Sequence, residues 1–586
     1  MNDRWDLSYL YKGFDDETFR RDLSSLEEET KRLQAMLDDD SLPPKERLEK
    51  FLDEDEKFNA RVDALANFIM CTQAVDATNE AADAANDQLM TAFTSMELLS
   101  SALTRYVAGL EDLEGIIAAS PKLQTVAFAL REMQDDAKHL LPPAAEPWML
   151  EMQLSGGNAF SQLRDKLDST LSVDYRDEHL PLAAVRGKAY DPDPAVRRDA
   201  YDAELAAYPK MDLPMSYCLN SIKMEARTLA KAKGFDTVLD MTLHSSRMDR
   251  ATLDAMWNAI RKYLPDFRRY LKAKAKLLGH ENGLPFYDLF APVGKSSKKF
   301  TIEEARETLL REMGKFTPDM AKFMDNAFEQ RWIDVYPRDG KTGGAFCSSV
   351  HFANRSLVMS NFQGSFSDVS TLAHELGHAW HNRCLAGLPY PMIDTPMPLA
   401  ETASIFNETM LSWQVLSSCT PEERLYLLEN GLMEATQTVV DIYSRFLFES
   451  EVIETRADHS MSVDELKDAM IRAQKASYGD GLDENFLHPY MWACKSHYYS
   501  SGYNFYNFPY AFGLLFGKGV FARWLEKGES FVPDYCKLLR FCGSAPVADV
   551  AASVGIDVRS EEFWCSSLEV VKKDIDEFCR LAEQAK

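Results

Sequence analysis

No stretch of the 586-residue chain stays apolar for the roughly 18 residues that a membrane-crossing helix requires. The opening residues, MNDRWDLSYLYKGFDDETF, lack the basic stretch and apolar core of a secretory leader. Neither a membrane-embedded nor an exported protein is expected. The cysteines (Cys71, Cys218, Cys347, Cys384, Cys419, Cys494, Cys536, Cys542, Cys565 and Cys579) include no Cys-x-x-Cys pair, so a cysteine zinc knuckle and a dithiol redox motif are unsupported. Scattered thiols suit a reducing compartment, and the cytoplasm is the expected location. Positive charge is scarce: 65 Lys and Arg against 92 Asp and Glu leave a net charge of −27. That argues against nucleic acid as a partner, because phosphate binding needs a basic patch. Low-complexity tracts and fixed-period repeats are missing too.

Glycine is absent between Gly13 and Gly109, where Ala, Leu, Glu and Asp dominate. Good helix formers without breakers predict long helices joined by short turns. Phe19, Leu23, Leu26, Leu33 and Leu37 recur at three-, four- and seven-residue steps, one apolar face of such a helix, until Pro43 and Pro44 interrupt it. With 46% hydrophobic and 27% charged residues, the chain has the composition of a folded protein with a sizeable core. The expected fold is mainly α. Turn signals at Pro142-Pro143, Gly156-Gly157 and YDPDP (190–194) place a boundary near residue 190. The expected division is an N-terminal helical domain, 1–189, and a second domain, 190–586.

One region breaks the helical pattern. In IDVYPRDGKTGGAFCSSVHFANRSLVMSNFQGSF (333–366) four glycines make loops, and SLVMSNF (356–362) reads as a short strand. Directly after it comes TLAHELGHAWH (371–381). Ser367 or Asp368 would cap a helix there, and Gly387 would end it. His374 and His378 lie one turn apart on one face, so both imidazoles can converge on one ion. Glu375 is rotated by about 100° from His374, badly placed to ligate but able to reach a water on the metal. This is the HExxH arrangement of zinc hydrolases, in which the ion acidifies water and the glutamate takes its proton.

A catalytic zinc needs a third protein ligand. His381 is two turns from His374, about 10 Å along the axis, too far to share the ion. In the longer HExxHxxGxxH pattern its glycine position is His381 and its last histidine is Cys384, so that pattern fails. The ligand is expected from PLAETASIFNE (398–408), where Glu401 and Glu408 are seven apart on one helical face. Either could bind the ion while the other buttresses a histidine. Spacing does not rank them.

TLAHELGHAWH followed by ETASIFNE resembles the thimet oligopeptidase family of zinc peptidases, and within it the oligoendopeptidase F branch. WDLSYLY, AVRRDAY…LNSIK (195–223), FYDLFAP (286–292), GKTGGAF (340–346) and the FW at 563–564 carry the likeness across nearly the whole chain. The resemblance implies a helical ellipsoid around a deep channel, with the N-terminal domain covering it. It implies one Zn2+ per chain held by His374, His378 and Glu401, with Glu375 as general base and Glu408 as a supporting carboxylate. Ser356, Leu357, Val358, Met359 and Ser360 match the strand along which the substrate backbone is laid, and GKTGGAF the flexible loop beside it. In KSHYYSSGYNFYNFPYAFG (495–513), His497, Tyr503, Tyr506 and Tyr510 match the residues that bind substrate and stabilise the oxyanion. Phe508 and Pro509 interrupt the tyrosine alternation, which leaves Tyr503 against Tyr506 open. His351 and His488 are further channel candidates, although a lone histidine is usually structural.

The expected activity is zinc-dependent cleavage of internal bonds in short unfolded peptides, with no nucleic-acid or membrane partner. Two alternatives stand beside it: a dipeptide-releasing exopeptidase of the same family, and an inactive peptide-binding protein.

Overall fold

In the computed structural model, residues 3–294, 299–417 and 419–584 are described. The glycine-free stretch forms helices α1 (Glu17–Leu37), α2 (Pro44–Val75) and α3 (Glu80–Ala108), packed on one another. Phe19, Leu23, Leu26, Leu33 and Leu37 are all buried along α1, as their spacing predicts. Pro44 interrupts the pattern by starting α2, where a missing N–H costs no helical bond. With Leu113, Ile117, Leu123 and Leu130 these helices share one apolar core.

A second, larger core collects apolar residues from Leu171 to Ala582. It opens with an antiparallel hairpin, β1 (Ser172–Tyr175) and β2 (Glu178–Pro181). Helices then dominate: α4 (Asp212–Ala232) and α5 (Arg250–Leu277) precede the glycine-rich region. After it come α6 (Phe366–Leu385), α7 (Thr402–Leu416), α8 (Ile442–Thr455), α9 (Phe508–Lys527) and α10 (Glu561–Gln584). The fold is mainly α. Among the described residues no helix is long and apolar enough to cross a membrane.

The region 333–366 holds more sheet than one strand. β3 (Ile333–Asp334), β4 (Phe346–Val350) and β5 (Arg355–Met359) form a sheet in the order β3-β5-β4, with β3 parallel and β4 antiparallel to β5. Val350, Leu357 and Met359 face α2 and pack with Trp5, Cys71 and Ala74. The opposite face meets α6, where Asn382 Nδ2 donates to Ser356 Oγ at 3.0 Å. The sheet therefore lies between an N-terminal helix and the histidine helix.

This corrects the expectation for Ser356–Ser360. β5 is the interior strand, paired with β4 along its length and with β3 at Val358 and Met359. Ser356, Leu357, Val358, Met359 and Ser360 are all buried, and Ser360 N–H donates to Asp334 O at 2.9 Å. No ladder edge is left there for a peptide. The edges are β3, flanked by N-terminal backbone (Val335 N–H to Asp3 O, 2.9 Å), and β4.

Candidate metal centre and active site

The histidine helix begins two or three residues earlier than its sequence suggests. Ser365, rather than Ser367 or Asp368, is the cap: its Oγ accepts from Asp368 N–H at 3.1 Å, and Asp368 Oδ2 accepts from Ser365 N–H at 2.8 Å. That reciprocal box leaves Asp368 inside the first turn, facing the positive end of the helix dipole.

His374 and His378 stand on one face of α6 with Nε2 atoms 3.2 Å apart. Glu401 Oε2 lies 3.2 Å from His374 Nε2 and 3.4 Å from His378 Nε2. Donors bonded at about 2.1 Å in tetrahedral directions sit about 3.4 Å from one another. The triangle has the right size and the right donors for a zinc-like ion. Each side chain keeps about a quarter of its surface exposed, which leaves an open side. Glu408 stands elsewhere: its Oε2 is 3.3 Å from Nδ1 of His374, the nitrogen turned away from the triangle. Spacing left the two glutamates level, but the geometry separates them.

Glu401 is not in a helix turn with Glu408 but at the junction immediately before α7, as its N-cap. Three close approaches hold it there. Ser404 Oγ donates to Glu401 Oε2 at 2.7 Å. A Cβ on Gly513 of α9 would come within 2.8 Å of Glu401 Cβ. A Cβ on Gly377, inside the histidine motif, would lie 2.6 Å from Ala403 O and 2.7 Å from Ser404 Cα. Only glycine lets α6 and α7 approach this closely. The sequence offered one signal for it, since glycine inside a helix costs about 1 kcal/mol relative to alanine and wants a packing reason.

Gly377→Ala is therefore expected to destabilise the protein by about 1–3 kcal/mol, overpacking outweighing the gain in helix propensity. It should also loosen metal retention by displacing Glu401. Melting temperature and metal content after dialysis read both effects; a variant as stable and as metal-rich as the parent would show that the two helices have slack.

Electrostatics fit a cation site. Burial would raise Glu401, but hydrogen bonds with His374 and His378 outweigh it and hold the carboxyl well below the usual carboxylate range. Burial acts against charge on His374, yet the bonds to Glu401 and Glu408 push it up to about 11. Glu375 is buried, and burial raises its pKa against the pull of His374 and His378. His381 points away, its Nε2 3.1 Å from Leu539 O, and burial pushes it down to about 4.

The tyrosine segment gathers as one cluster. His497 stacks on Tyr506 at 5.1 Å between centroids, and Tyr506 neighbours Tyr503 at 5.6 Å and Tyr510 at 5.9 Å. Burial, then the charges of Arg445, Lys495 and Arg164, push His497 down to about 4, so at neutral pH it is an uncharged imidazole. Its buried Nδ1 makes no hydrogen bond with the described residues. Tyr510 is raised by burial, then by its hydrogen bond with Tyr506 and the charges of Tyr506 and Glu401; it lies about one turn before Gly513, which packs against Glu401. The Tyr503 hydroxyl is 3.1 Å from Ser246 Oγ and already has a partner. Pro509, which looked like an interruption, occupies the first turn of α9 and starts the helix carrying Tyr510.

A buried ion pair missed from sequence anchors this cluster. Glu449 Oε1 of α8 accepts from Lys223 Nζ of α4 at 2.7 Å and from Phe505 N–H at 3.0 Å, and Lys223 Nζ also donates to Asn504 Oδ1 at 2.9 Å. Phe505 takes a left-handed φ of 53° there, between Tyr503 and Tyr506.

His351 and His488 are not brought to the triangle. His351 Nε2 is 2.8 Å from Leu388 O, and His488, 1% exposed, lies among Tyr201, Tyr208 and Phe286 with Glu204 3.3 Å away.

A mainly helical body carrying two histidines one turn apart and a converging glutamate suits a metal-dependent hydrolase, and its family makes it a metallopeptidase. The chain belongs to peptidase family M3, whose model matches residues 188–570; a second model, Oligopeptidase F, matches residues 108–172. Within that family it falls in the oligoendopeptidase F branch, whose members act on oligopeptides. Oligopeptidase PepF of Bacillus subtilis (strain 168) is 25% identical over 514 residues, 86% of this chain and 76% of that one. A solved chain from Chlamydophila abortus matches with a TM-score of 0.83 at 22% identity, covering 99% of this chain and 98% of its own. Oligoendopeptidase-F from Enterococcus faecium matches at 0.71 and 18%, covering 97% and 98%. These two likenesses are of fold.

Proposed function

We propose that the protein is a zinc-dependent endopeptidase that hydrolyses internal bonds of short, unfolded peptides. The observation that carries this reading is the triangle of His374, His378 and Glu401 donors, 3.2–3.4 Å on a side, with Glu375 next in sequence to one of its corners. His374, His378 and Glu401 would hold the ion, and Glu408 would fix the ring of His374 through Nδ1. Zinc in that position supplies Lewis acidity, making water acidic enough to lose a proton near neutral pH.

Glu375, buried and outside the donor triangle, takes that proton and later passes it to the leaving amine. His497 and Tyr510, with Tyr506 behind them, donate hydrogen bonds to the carbonyl oxygen as it gains negative charge. Tyr503, engaged with Ser246, positions Tyr506 rather than meeting the substrate. The peptide adds as an antiparallel strand to the outer edge of β4, so that affinity comes from main-chain bonds and sequence preference is loose. Residues 190–586 carry the chemistry, and 1–189 cover the channel in which the peptide lies. The ten free thiols accord with a reducing cytoplasm.

An internally quenched peptide blocked at both ends tests this. Cleavage within it, abolished by a chelator and restored by Zn2+, is the expected result. Turnover only of peptides with a free end would replace the endopeptidase with an exopeptidase, and no turnover by zinc-loaded protein would leave a binding protein.

A further inference from the structure

β4 does not offer its whole outer edge. Ser349 turns its carbonyl away from β5, and that oxygen accepts from Asn67 Nδ2 of α2 at 2.9 Å. Alternate residues of an antiparallel strand present their backbone groups to the same side, so Cys347 shares the outward edge with Ser349. Asn67 does at Ser349 what a backbone N–H of an added strand would do. The same side chain takes a second bond, Ser348 Oγ donating to Asn67 Oδ1 at 2.6 Å. Asn67 is 5% exposed, and Asp63 Oδ1 accepts from its Nδ2 at 2.7 Å, so the amide is fixed rather than a passing surface contact. Asp63 in turn accepts from His351 N–H at 2.9 Å and from Tyr390 OH at 3.0 Å. Helix α2 is thus tied to the Val350 end of the strand.

The other end is built differently. The end of α2 and the turn after it hold the glycine loop at its base, through Thr342 N–H to Ala74 O at 2.9 Å and Ala77 N–H to Gly340 O at 2.8 Å. Beyond that, a Cβ at Gly343 or Gly344 would touch nothing within 4 Å. One end of β4 is stopped and the other is open.

We infer that Asn67 sets a length limit on one side of the scissile bond: its amide ends the peptide-binding edge of β4 at Ser349. A peptide antiparallel to β4 has its N-terminal residues toward Val350, so the limit falls on the N-terminal side, while C-terminal residues run out past the glycine loop. This rests on the reading of β4 as the peptide-binding edge.

The experiment uses two ladders of end-blocked peptides around one cleavable core, extended a residue at a time N-terminally or C-terminally, with kcat/KM and products followed by mass spectrometry. For the parent enzyme, the ratio of long to short N-terminal peptides is expected to fall about five- to tenfold once the chain passes Ser349, the value of one backbone hydrogen bond and its ordering. C-terminal extension should show no such step. Asn67→Ala should remove the step. Tyr390→Phe, which removes the hydroxyl's bond to Asp63 of α2 without touching the amide at Ser349, should keep it. A step that survives Asn67→Ala, or that Tyr390→Phe also removes, overturns the inference. Single amide-to-ester replacements along the short peptide test the underlying reading separately. If no ester lowers kcat/KM, the peptide does not use the edge of β4 and both fall; if esters matter while Asn67→Ala leaves the ladder unchanged, only the role of Asn67 falls.

Discussion

Glu375→Gln is expected to keep its metal and lose turnover by about 10²–10⁴-fold, the usual worth of a positioned general base. Glutamine preserves the shape of the side chain and its burial but cannot take a proton. The donor triangle is made by His374, His378 and Glu401 without Glu375, so metal content should remain at one ion per chain. Proton transfer belongs to the transition state and not to ground-state binding, so the loss should fall on kcat with KM nearly constant. Burial gives Glu375 a second property, raising its pKa from the ordinary carboxylate range toward the working pH, where a base is most effective. The check is steady-state hydrolysis of a quenched peptide together with metal analysis of the same sample. Activity within tenfold of the parent would remove Glu375 from the role. Loss of metal would show instead that it supports the ion.

Some of this was legible in the sequence because it depends on neighbours along the chain. The stripe from Phe19 to Leu37 needs only a helical period, and the pairing of His374 with His378 needs only one turn. Even the misplaced cap had a local signature: Ser365 and Asp368 are spaced as a capping box, and Asp368 looked like a cap because it is the other half of one. What was not legible depends on chain far away. β5 reads as a strand with an edge free for substrate until β3, from more than twenty residues earlier, takes its second side. β4 itself, FCSSV, is only partly apolar and gives little signal against a loop background. Glu401 and Glu408 are indistinguishable by spacing, because their ranking is decided where Gly377 lets α7 approach α6 and Gly513 lets α9 close over Glu401. Lys223 and Glu449 are 226 residues apart and meet only in the folded core.

That ranking yields the second large effect. Glu401→Ala should cost more metal affinity than Glu408→Ala, although both carboxylates touch His374. Glu401 reaches both histidines on the side where their Nε2 atoms converge, so removing it takes away one of three donors and the negative charge that balances the cation. Glu408 reaches only Nδ1 of His374; its loss frees the ring to turn and lowers its basicity, an outer-shell effect worth about 10–100-fold in affinity. Glu401→Ala is expected to exceed that range, leaving the ion at two imidazoles. Competition against a chromophoric chelator, with zinc added back in known amounts, measures both constants on purified protein and needs no activity. Glu408→Gln offers an internal control, since an amide oxygen at the same reach can still accept from Nδ1–H and should recover part of the loss. Equal losses from the two alanine variants, or the reverse order, would mean that the ion sits nearer Glu408 than the converging nitrogens require. The assignment of Glu401 as third ligand would then be wrong, whatever the activity of either variant.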